Sequence, residues 1–227
     1  MEAFPKSHIE ETKHFCRVEA EKPGLENTAL YKQYSVPSNH HLSLTAARRV
    51  ATAVLYASER HQNWRGITIN LSLLDAPQAA EQTMRAILDH IRHWQDRHGC
   101  PAYWVWVREQ GGRLGDHAHI LAAAPTGAGR SLSDHLRRWL RGPSIRGDLP
   151  PGTLHSRPTS ALGWLAYVVK TVTPADATKV RQEFCLRVTH EKPGGQVIGQ
   201  RVGIARGLGP KARQVAATQT QHERIAE

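Results

Sequence analysis

Two histidines separated by one residue, His117 and His119, stand in an apolar segment that is typical of a β-strand. Successive side chains of a strand point to opposite faces, so residues two apart share a face. Both imidazoles are therefore expected on the same side of a sheet, where their nitrogens could bind a metal ion. Because His-x-His is a short motif that also occurs by chance, the inference needs a further ligand.

A predicted β-hairpin supplies that ligand. The segment before the histidines and the segment that contains them are both strand-like, and the glycine-rich residues 111–115 join them. If the turn centres on Arg113, Glu109 lies opposite His117 on the face that carries both imidazoles. One carboxylate and two imidazoles suit a single divalent ion, Mg²⁺ or Mn²⁺, that contacts a phosphate, and the same donors could bind zinc in vitro.

A tyrosine and a lysine one helical turn apart, Tyr167 and Lys170, form the second chemical element. At 100° per residue, Tyr167 points away from the apolar stripe of its helix and Lys170 stands about 60° from it. A tyrosine over a metal-bound phosphate can attack phosphorus, and a nearby ammonium can stabilise the developing charge. Taken alone, the pair also fits the surface of an ordinary amphipathic helix. The predicted apolar stripe comprises Leu162, Leu165, Ala166, Val169 and Val172.

The elements that must position these residues alternate along the chain. Apolar residues at helical spacing predict helices over 44–60, 75–98, 131–141 and 159–172, the last capped by Thr159 or Ser160. Alternating and β-branched residues predict strands over 66–73, 101–110, 116–124, 181–190 and 196–204. Residues 142–158, rich in proline, glycine and arginine, predict a loop. The hairpin implies antiparallel neighbours, so we expect an α+β fold around a mainly antiparallel sheet.

The organisation of the 227 residues predicts one domain with two extensions. We expect a partly irregular N-terminal extension over 1–43, one folded domain over 44–206, and a basic tail over 207–227 that is mobile at its end. Neither a secretory signal nor a run of ~20 apolar residues occurs, which predicts a cytoplasmic protein without a membrane partner. The three cysteines are far apart and outside any C-x-x-C, which argues against a disulfide framework or a structural zinc site.

The charge of the chain favours a polyanionic partner. Thirty Lys and Arg residues against twenty Asp and Glu residues give a net charge of +10 and a pI near 9.9. Such a surplus attracts nucleic acid. The residues predicted to contact phosphates lie on the short basic helix and near the C-terminus: Arg137, Arg138, Arg141, Arg201, Arg206, Lys211 and Arg213.

Together, the order and spacing of these motifs resemble those of the HUH endonucleases in their replication-initiator branch. The parts that match are the β-branched strand 67–71, Glu109 followed by His117-Ala-His119-Ile-Leu, and Tyr167-x-x-Lys170 later in the chain. The resemblance spans roughly residues 64–206. It implies a five-stranded antiparallel sheet with the histidines on a central strand and the tyrosine on a helix across from them.

The resemblance also implies a mechanism and partners. Glu109, His117 and His119 would hold one divalent ion that polarises the scissile phosphate of single-stranded DNA at a replication origin. Tyr167 would become joined to the 5′ phosphate and release a 3′ hydroxyl, as in rolling-circle replication of a plasmid or phage. The sequence has no helicase-type phosphate loop, G-x-x-x-x-G-K-[ST], so unwinding and synthesis would require a host helicase and polymerase.

Other functions fit parts of the pattern. A single-tyrosine transposase shares the motif order, and a relaxase would use an upstream tyrosine, for which Tyr31, Tyr34 and Tyr56 are the candidates. A non-catalytic single-stranded nucleic-acid-binding module would also be basic, but it requires no convergence of Glu109 with two histidines. A zinc deaminase would need a Pro-Cys-x-x-Cys partner, which the sequence lacks.

The net charge generates a first prediction. Affinity for single-stranded DNA should fall steeply with salt, because bound Lys and Arg residues displace counterions from the strand. Fluorescence anisotropy at several salt concentrations should give a linear plot of log K against log salt, with a slope of about −0.7 per phosphate contact. An affinity that does not change with salt would show that the charge is unrelated to the substrate.

Overall fold

Five strands form the central sheet of the protein, and all pairings between them are antiparallel. The computed structural model describes residues 38–39, 41–74, 80–111, 115–142, 149–186 and 195–226, which all belong to one unit of the chain, 36–227. In chain order the strands are β1 (Ser38–Asn39), β2 (Trp64–Asn70), β3 (Trp104–Gln110), β4 (Asp116–Ala123), β5 (Leu154–Thr159), β6 (Val197–Ile198) and β7 (Val202–Ile204). Across the sheet the order is β5-β2-β4-β3-β7, and β1 pairs separately with β6. The predicted α+β class and five-stranded antiparallel sheet are confirmed.

Helices cover both faces of this sheet. They are α1 (Leu44–Ser58), α2 (Ala80–Arg97), α3 (Gly129–Leu140), α4 (Ala161–Val168), α5 (Pro174–Phe184) and α6 (Pro210–Ala226). One hydrophobic core lies between the sheet and α1, α4 and α5, and a second lies between the opposite face and α2 and α3. Because β4 is central and covered on both sides, its side chains are buried from His117 to Ala123.

The β3–β4 hairpin has the predicted register. Glu109 pairs with His117 across the ladder, on the face that carries His119 as well. On the opposite face, Arg108 forms an ion pair with Asp116 that joins the ends of the same two strands. The hairpin therefore places acidic and basic groups on both of its faces while its middle is apolar. Residues 112–114 of the turn lie outside the described residues.

The fifth strand of the sheet differs from the prediction. Residues 154–159 form β5, although 154–158 belong to the segment predicted as a loop and Thr159 was predicted at the start of the next helix. Among the described strands, β5 is at the edge of the sheet and pairs with β2 alone, where Pro158 is tolerated because one side of an edge strand needs no hydrogen-bond donor. The polar composition of residues 154–158 did not indicate a strand. Pairing with β2 determines this strand, and local propensity does not.

The predicted strand over 181–190 was wrong in its first half. Arg181 to Phe184 end helix α5, which starts with Thr173 as its N-cap and Pro174 in its first turn. The Thr173 hydroxyl accepts a hydrogen bond from the Asp176 amide at 3.2 Å, and proline at this position favours a helix start. Helix α5 ends at Cys185, which adopts a left-handed conformation with φ of 51°. Residues 187–190 lie outside the described residues.

Several predicted boundaries also move. The predicted strand 66–73 ends at Asn70, whose side chain accepts from the Ser72 amide and caps a short 3-10 turn. The predicted strand 196–204 is divided into β6 and β7 around Gly199, at φ of 88°. Of the predicted helix 159–172, the α-helical part is α4, and residues 169–171 form a 3-10 turn.

Most of the predicted N-terminal extension, residues 1–37 and 40, lies outside the described residues. At the other end, residues 210–226 of the predicted tail form α6. None of the described helices is long and apolar enough to cross a membrane.

Helix α4 gives the second prediction, because its start controls the position of Tyr167. The Ser160 hydroxyl accepts a hydrogen bond from the Gly163 amide at 3.0 Å. Ser160→Ala should therefore lower the free energy of unfolding by about 0.5–2 kcal/mol, measured by urea denaturation. Ser160→Thr keeps a capping hydroxyl and is the control. Equal stability of the alanine variant and the wild type would show that the cap is dispensable.

Candidate metal centre

Three side chains converge on one face of the hairpin. The ligand atoms of Glu109, His117 and His119 all lie within 4.8 Å of one another, and the three residues are buried. The Oε2 atom of Glu109 is 3.6 Å from Nε2 of His117 and 3.5 Å from Nε2 of His119. These distances exceed those of normal hydrogen bonds. They approach the roughly 3 to 3.5 Å that separates neighbouring ligands bound at about 2.0–2.2 Å to one divalent cation.

The other nitrogen of each imidazole is already engaged. Nδ1 of His117 is 3.0 Å from the Gly115 carbonyl oxygen, and Nδ1 of His119 is 3.0 Å from the Thr68 hydroxyl. Since a carbonyl only accepts hydrogen bonds, Nδ1 of His117 must carry the proton. In the neutral imidazole, the Nε2 lone pair of His117 is then free to face Glu109. Orientation of ligand histidines by such outer contacts is typical of metal sites.

The centre has buried polar atoms that its own residues do not satisfy. Among the described residues, Oε1 of Glu109 and Nε2 of His119 have no hydrogen-bond partner. Buried polar atoms without a partner are unfavourable, and lone pairs that face one another repel. A cation between them removes both penalties, so this donor set fits a divalent metal ion.

The protonation states agree with this assignment. Burial acts to raise the pKa of Glu109, but the facing imidazoles and the Lys170 ammonium outweigh it and hold the pKa well below its usual range. Burial lowers the pKa of His119, and the opposing effect of Glu109 does not restore it. Near neutral pH the carboxylate is therefore ionised and the His119 imidazole is neutral, which are the forms that bind metals.

Tyr167 and Lys170 lie directly beside these three residues. The Tyr167 ring meets the His119 ring edge to face, with centroids 5.0 Å apart. Nζ of Lys170 is 3.2 Å from the centroid of the Tyr167 ring and 3.6 Å from Oε2 of Glu109. Tyr167 is 45% exposed whereas the Lys170 side chain is 11% exposed, so the phenol is accessible and the ammonium is held beneath it. The two residues that were predicted on the helix are thus brought to the histidines by tertiary packing.

The apolar stripe predicted for α4 is confirmed in part. Leu165, Val169 and Val172 are buried as expected, but Ala166 is half-buried and the prediction was wrong for Leu162, which is 48% exposed. Trp164 and Val168, which the predicted stripe did not include, are also buried. Helix α4 is short and packs against both α1 and the sheet. Its buried residues therefore differ from those expected for a helix with a single neighbour.

Arg201, one of the predicted phosphate contacts, is not on the surface. The residue is 6% exposed, and its backbone carbonyl accepts a hydrogen bond from the Arg108 amide at 2.8 Å. Burial lowers the pKa of Arg201, and the charge of Glu109 acts in the opposite direction. Arg201 therefore contributes positive charge near the centre from within the protein.

The other predicted phosphate contacts are exposed except for Arg213, which is half-buried and donates a hydrogen bond to the Leu208 carbonyl, and they lie on different elements. Three belong to α3 or follow it, and α3 packs on the face of the sheet opposite Glu109. The structure therefore does not bring these three to the centre. The exposed residues of the predicted set are Arg137, Arg138, Arg141, Arg206 and Lys211.

The upstream tyrosines have different positions. Tyr56 packs against the core of α1, with the Arg60 guanidinium 3.7 Å from its ring centroid. Tyr31 and Tyr34 lie outside the described residues.

Comparisons with known proteins add a weak structural similarity. No protein-family model and no curated protein sequence matches the chain. Among solved structures, the chain is similar to the N-terminal nuclease domain of non-structural protein 1 of minute virus of mice, at 13% identity and a TM-score of 0.26, over 66% of this chain and 78% of that chain. That domain coordinates Zn²⁺ in its active-site pocket and recognises DNA at the origin of replication.

The geometry of the centre generates the third prediction. His117→Ala and His119→Ala should each abolish Mn²⁺ binding in isothermal titration calorimetry, because each removes one of three ligands. Thr68→Val keeps all ligands but removes the group that orients His119, so Mn²⁺ affinity should fall by about 10–100-fold. The exposed His93→Ala variant is the control for loss of a histidine. Unchanged Mn²⁺ affinity in both ligand variants would exclude the centre.

Proposed function

We propose that the protein is a metal-dependent endonuclease that nicks and rejoins single-stranded DNA at a replication origin, as an initiator of rolling-circle replication. The observation that carries the proposal is the contact of an accessible tyrosine with one imidazole of a convergent set of a carboxylate and two imidazoles. Tyr167 lies against His119, and Lys170 joins Tyr167 to Glu109. A metal site alone would suit many hydrolases, but a tyrosine held beside it suits strand transfer.

The protein residues have separate roles in this proposal. Glu109, His117 and His119 would hold one divalent ion, Mg²⁺ or Mn²⁺, which supplies Lewis-acid polarisation of the scissile phosphate when it is bound. The buried hairpin holds the three ligands rigidly, and the outer contacts of the imidazoles determine which nitrogen faces inward. Tyr167, on α4 across from β4, is the only one of these groups that solvent reaches freely.

The chemical step exchanges one phosphoester for another. The Tyr167 phenol oxygen attacks phosphorus, the bond from phosphorus to the 3′ oxygen breaks, and the strand on the 3′ side stays joined to Tyr167 through its 5′ phosphate. The phenolic proton passes to solvent, and the departing 3′ oxygen takes a proton from water. Because one phosphodiester replaces another, attack by a 3′ hydroxyl reverses the step and rejoins a strand.

Lys170 is positioned to assist the nucleophile. Its ammonium lies over the Tyr167 ring and also close to the Glu109 carboxylate. Its positive charge would stabilise the negative charge that develops during the attack, and it compensates the Glu109 carboxylate so that the centre attracts a phosphate. The side chain is largely shielded from water, which strengthens both interactions.

The proposal assigns single-stranded DNA as the substrate and a host helicase and polymerase as partners. The net charge of +10 supports a nucleic-acid substrate. The sequence has no phosphate loop of its own for unwinding, so the strand would be made available by a helicase, and the released 3′ hydroxyl would serve a polymerase.

The fourth prediction tests the nucleophile. Wild-type protein incubated with Mn²⁺ and a 3′-labelled single-stranded origin oligonucleotide should carry the label with it on a denaturing gel. Tyr167→Phe removes one oxygen from an exposed side chain, so it should lose the adduct while keeping its stability and its DNA affinity. Tyr56→Phe is the matched control and should form the adduct normally. An adduct that persists in Tyr167→Phe and disappears in Tyr56→Phe would transfer the nucleophile to the upstream tyrosine.

Lys170→Ala gives a graded result in the same assay. Loss of an electrostatic helper should slow adduct formation by about 10²–10³-fold without abolishing it. Lys170→Arg keeps the charge and should retain part of the rate. An unchanged rate in Lys170→Ala would leave the lysine without a role in the reaction.

A further inference from the structure

A groove leads away from the metal centre between α4 and the β5 edge of the sheet. Its volume is about 240 Å³, and one end is formed by His119 and Tyr167. The groove therefore shares two residues with the centre and opens to solvent along β5. The other residues that line it are Gly66, Ile67, Thr68, His155, Arg157, Thr159, Gly163 and Trp164.

The register of β2 with β5 places the basic residues of β5 on the metal-binding face. His155 pairs with Thr68, which pairs in turn with His119 on β4. Arg157 pairs with Gly66, so it is one step further along the same face. Residues that are directly paired across strands share a face, so His155 and Arg157 point to the side that carries the ligands.

Gly66 lies in the wall of the groove beside Arg157. A Cβ atom at this position would lie 3.1 Å from Cγ2 of Thr159 and 3.7 Å from Cδ1 of Trp164. The glycine therefore allows Thr159 and Trp164 to pack closely against β2 next to Arg157.

The charge in the groove has one sign. None of the described residues that line it carries a carboxylate, and its ionisable groups are His119, His155, Arg157 and the Tyr167 phenol. Among the described residues, the exposed Arg157 guanidinium has no hydrogen-bond or ion-pair partner, whereas Arg48 is paired with Glu183. A groove with an available guanidinium and no carboxylate suits an anion, and arginine binds phosphate oxygens in a bidentate manner.

We propose that Arg157 is a positioning residue that binds a backbone phosphate next to the scissile one. The inference rests on the proposed function, and it adds a substrate contact that basic surface charge did not identify. Strand β5 is two strands from β4, which is about 10 Å across the sheet. The backbone of Arg157 therefore lies beside the ligand set, and its side chain is placed to bind a neighbouring phosphate of the same strand.

The experiment tests whether Arg157 and one phosphate of the strand depend on each other for binding. Single-stranded origin oligonucleotides that carry one uncharged methylphosphonate at each position in turn are bound to Mn²⁺-loaded Tyr167→Phe protein, which cannot cleave them. One position that flanks the scissile phosphate should weaken binding by about 10–100-fold. In the Tyr167→Phe, Arg157→Gln double variant, affinity for the natural strand should fall by a similar factor, and the same methylphosphonate should then have little further effect.

Two controls separate this inference from the rest. Arg97→Gln removes an exposed arginine from α2, on the other face of the sheet, and should show no coupling to any phosphate. Arg157→Gln should reduce the slope of log K against log salt by about 0.7, the value for one lost phosphate contact, while Mn²⁺ affinity stays at the wild-type value. Since Arg157 is exposed on an edge strand, its replacement should not affect folding.

The outcomes are distinguishable. If the losses of binding free energy caused by Arg157→Gln and by each flanking methylphosphonate simply add, the assignment of Arg157 is wrong. The proposed function would still stand if the wild type forms the covalent adduct. Coupling at one flanking phosphate supports the assignment. Because binding is measured in a variant that cannot react, absence of the adduct in the wild type would overturn the proposed chemistry without changing this result.

Discussion

The register of one antiparallel hairpin is the constraint on which the candidate site depends. Glu109 faces the histidines only because it pairs with His117 across the β3–β4 ladder. A slip of one residue would turn either the carboxylate or both imidazoles to the opposite face. The Arg108–Asp116 ion pair on that opposite face resists such a slip, since it joins the same strands in the same register. Structure and chemistry are thus specified by one set of pairings.

Burial on both faces gives the centre its chemical character. The central strand is covered by two cores, so the imidazoles are shielded from water and from protons. Shielding favours neutral imidazole and leaves lone pairs that a cation can satisfy. Tyr167 is exposed beside the ligands, and a groove runs from there towards β5. The arrangement separates a rigid, dry ligand set from an open side that can admit a polymer.

Lys170 connects these two parts electrostatically. Its ammonium lies between the Glu109 carboxylate and the Tyr167 ring, so the same charge acts on the ligand set and on the phenol. Arg201 adds a second positive charge from inside the protein. The carboxylate is therefore compensated before any ion binds, and an ion that binds gives the centre a positive charge suited to a phosphate.

The sequence by itself determined the parts of this protein that follow from local periodicity. Alternation along the strands and the glycine-rich turn predicted the hairpin register, and helical spacing predicted that Tyr167 points away from the core. It also predicted the fold class, because helices alternate with strands that include an antiparallel hairpin.

Only the tertiary structure decided which distant segments meet. The polar segment 154–159 is a strand because β2 offers it an edge, and residues 181–184 are helical because Thr173 and Pro174 start a helix upstream. Thr68 orients His119 from a neighbouring strand, and Arg201 is buried although its type suggests the surface. Contacts between residues far apart in the chain leave no periodic signal in it, because their energies depend on neighbours that the fold alone supplies.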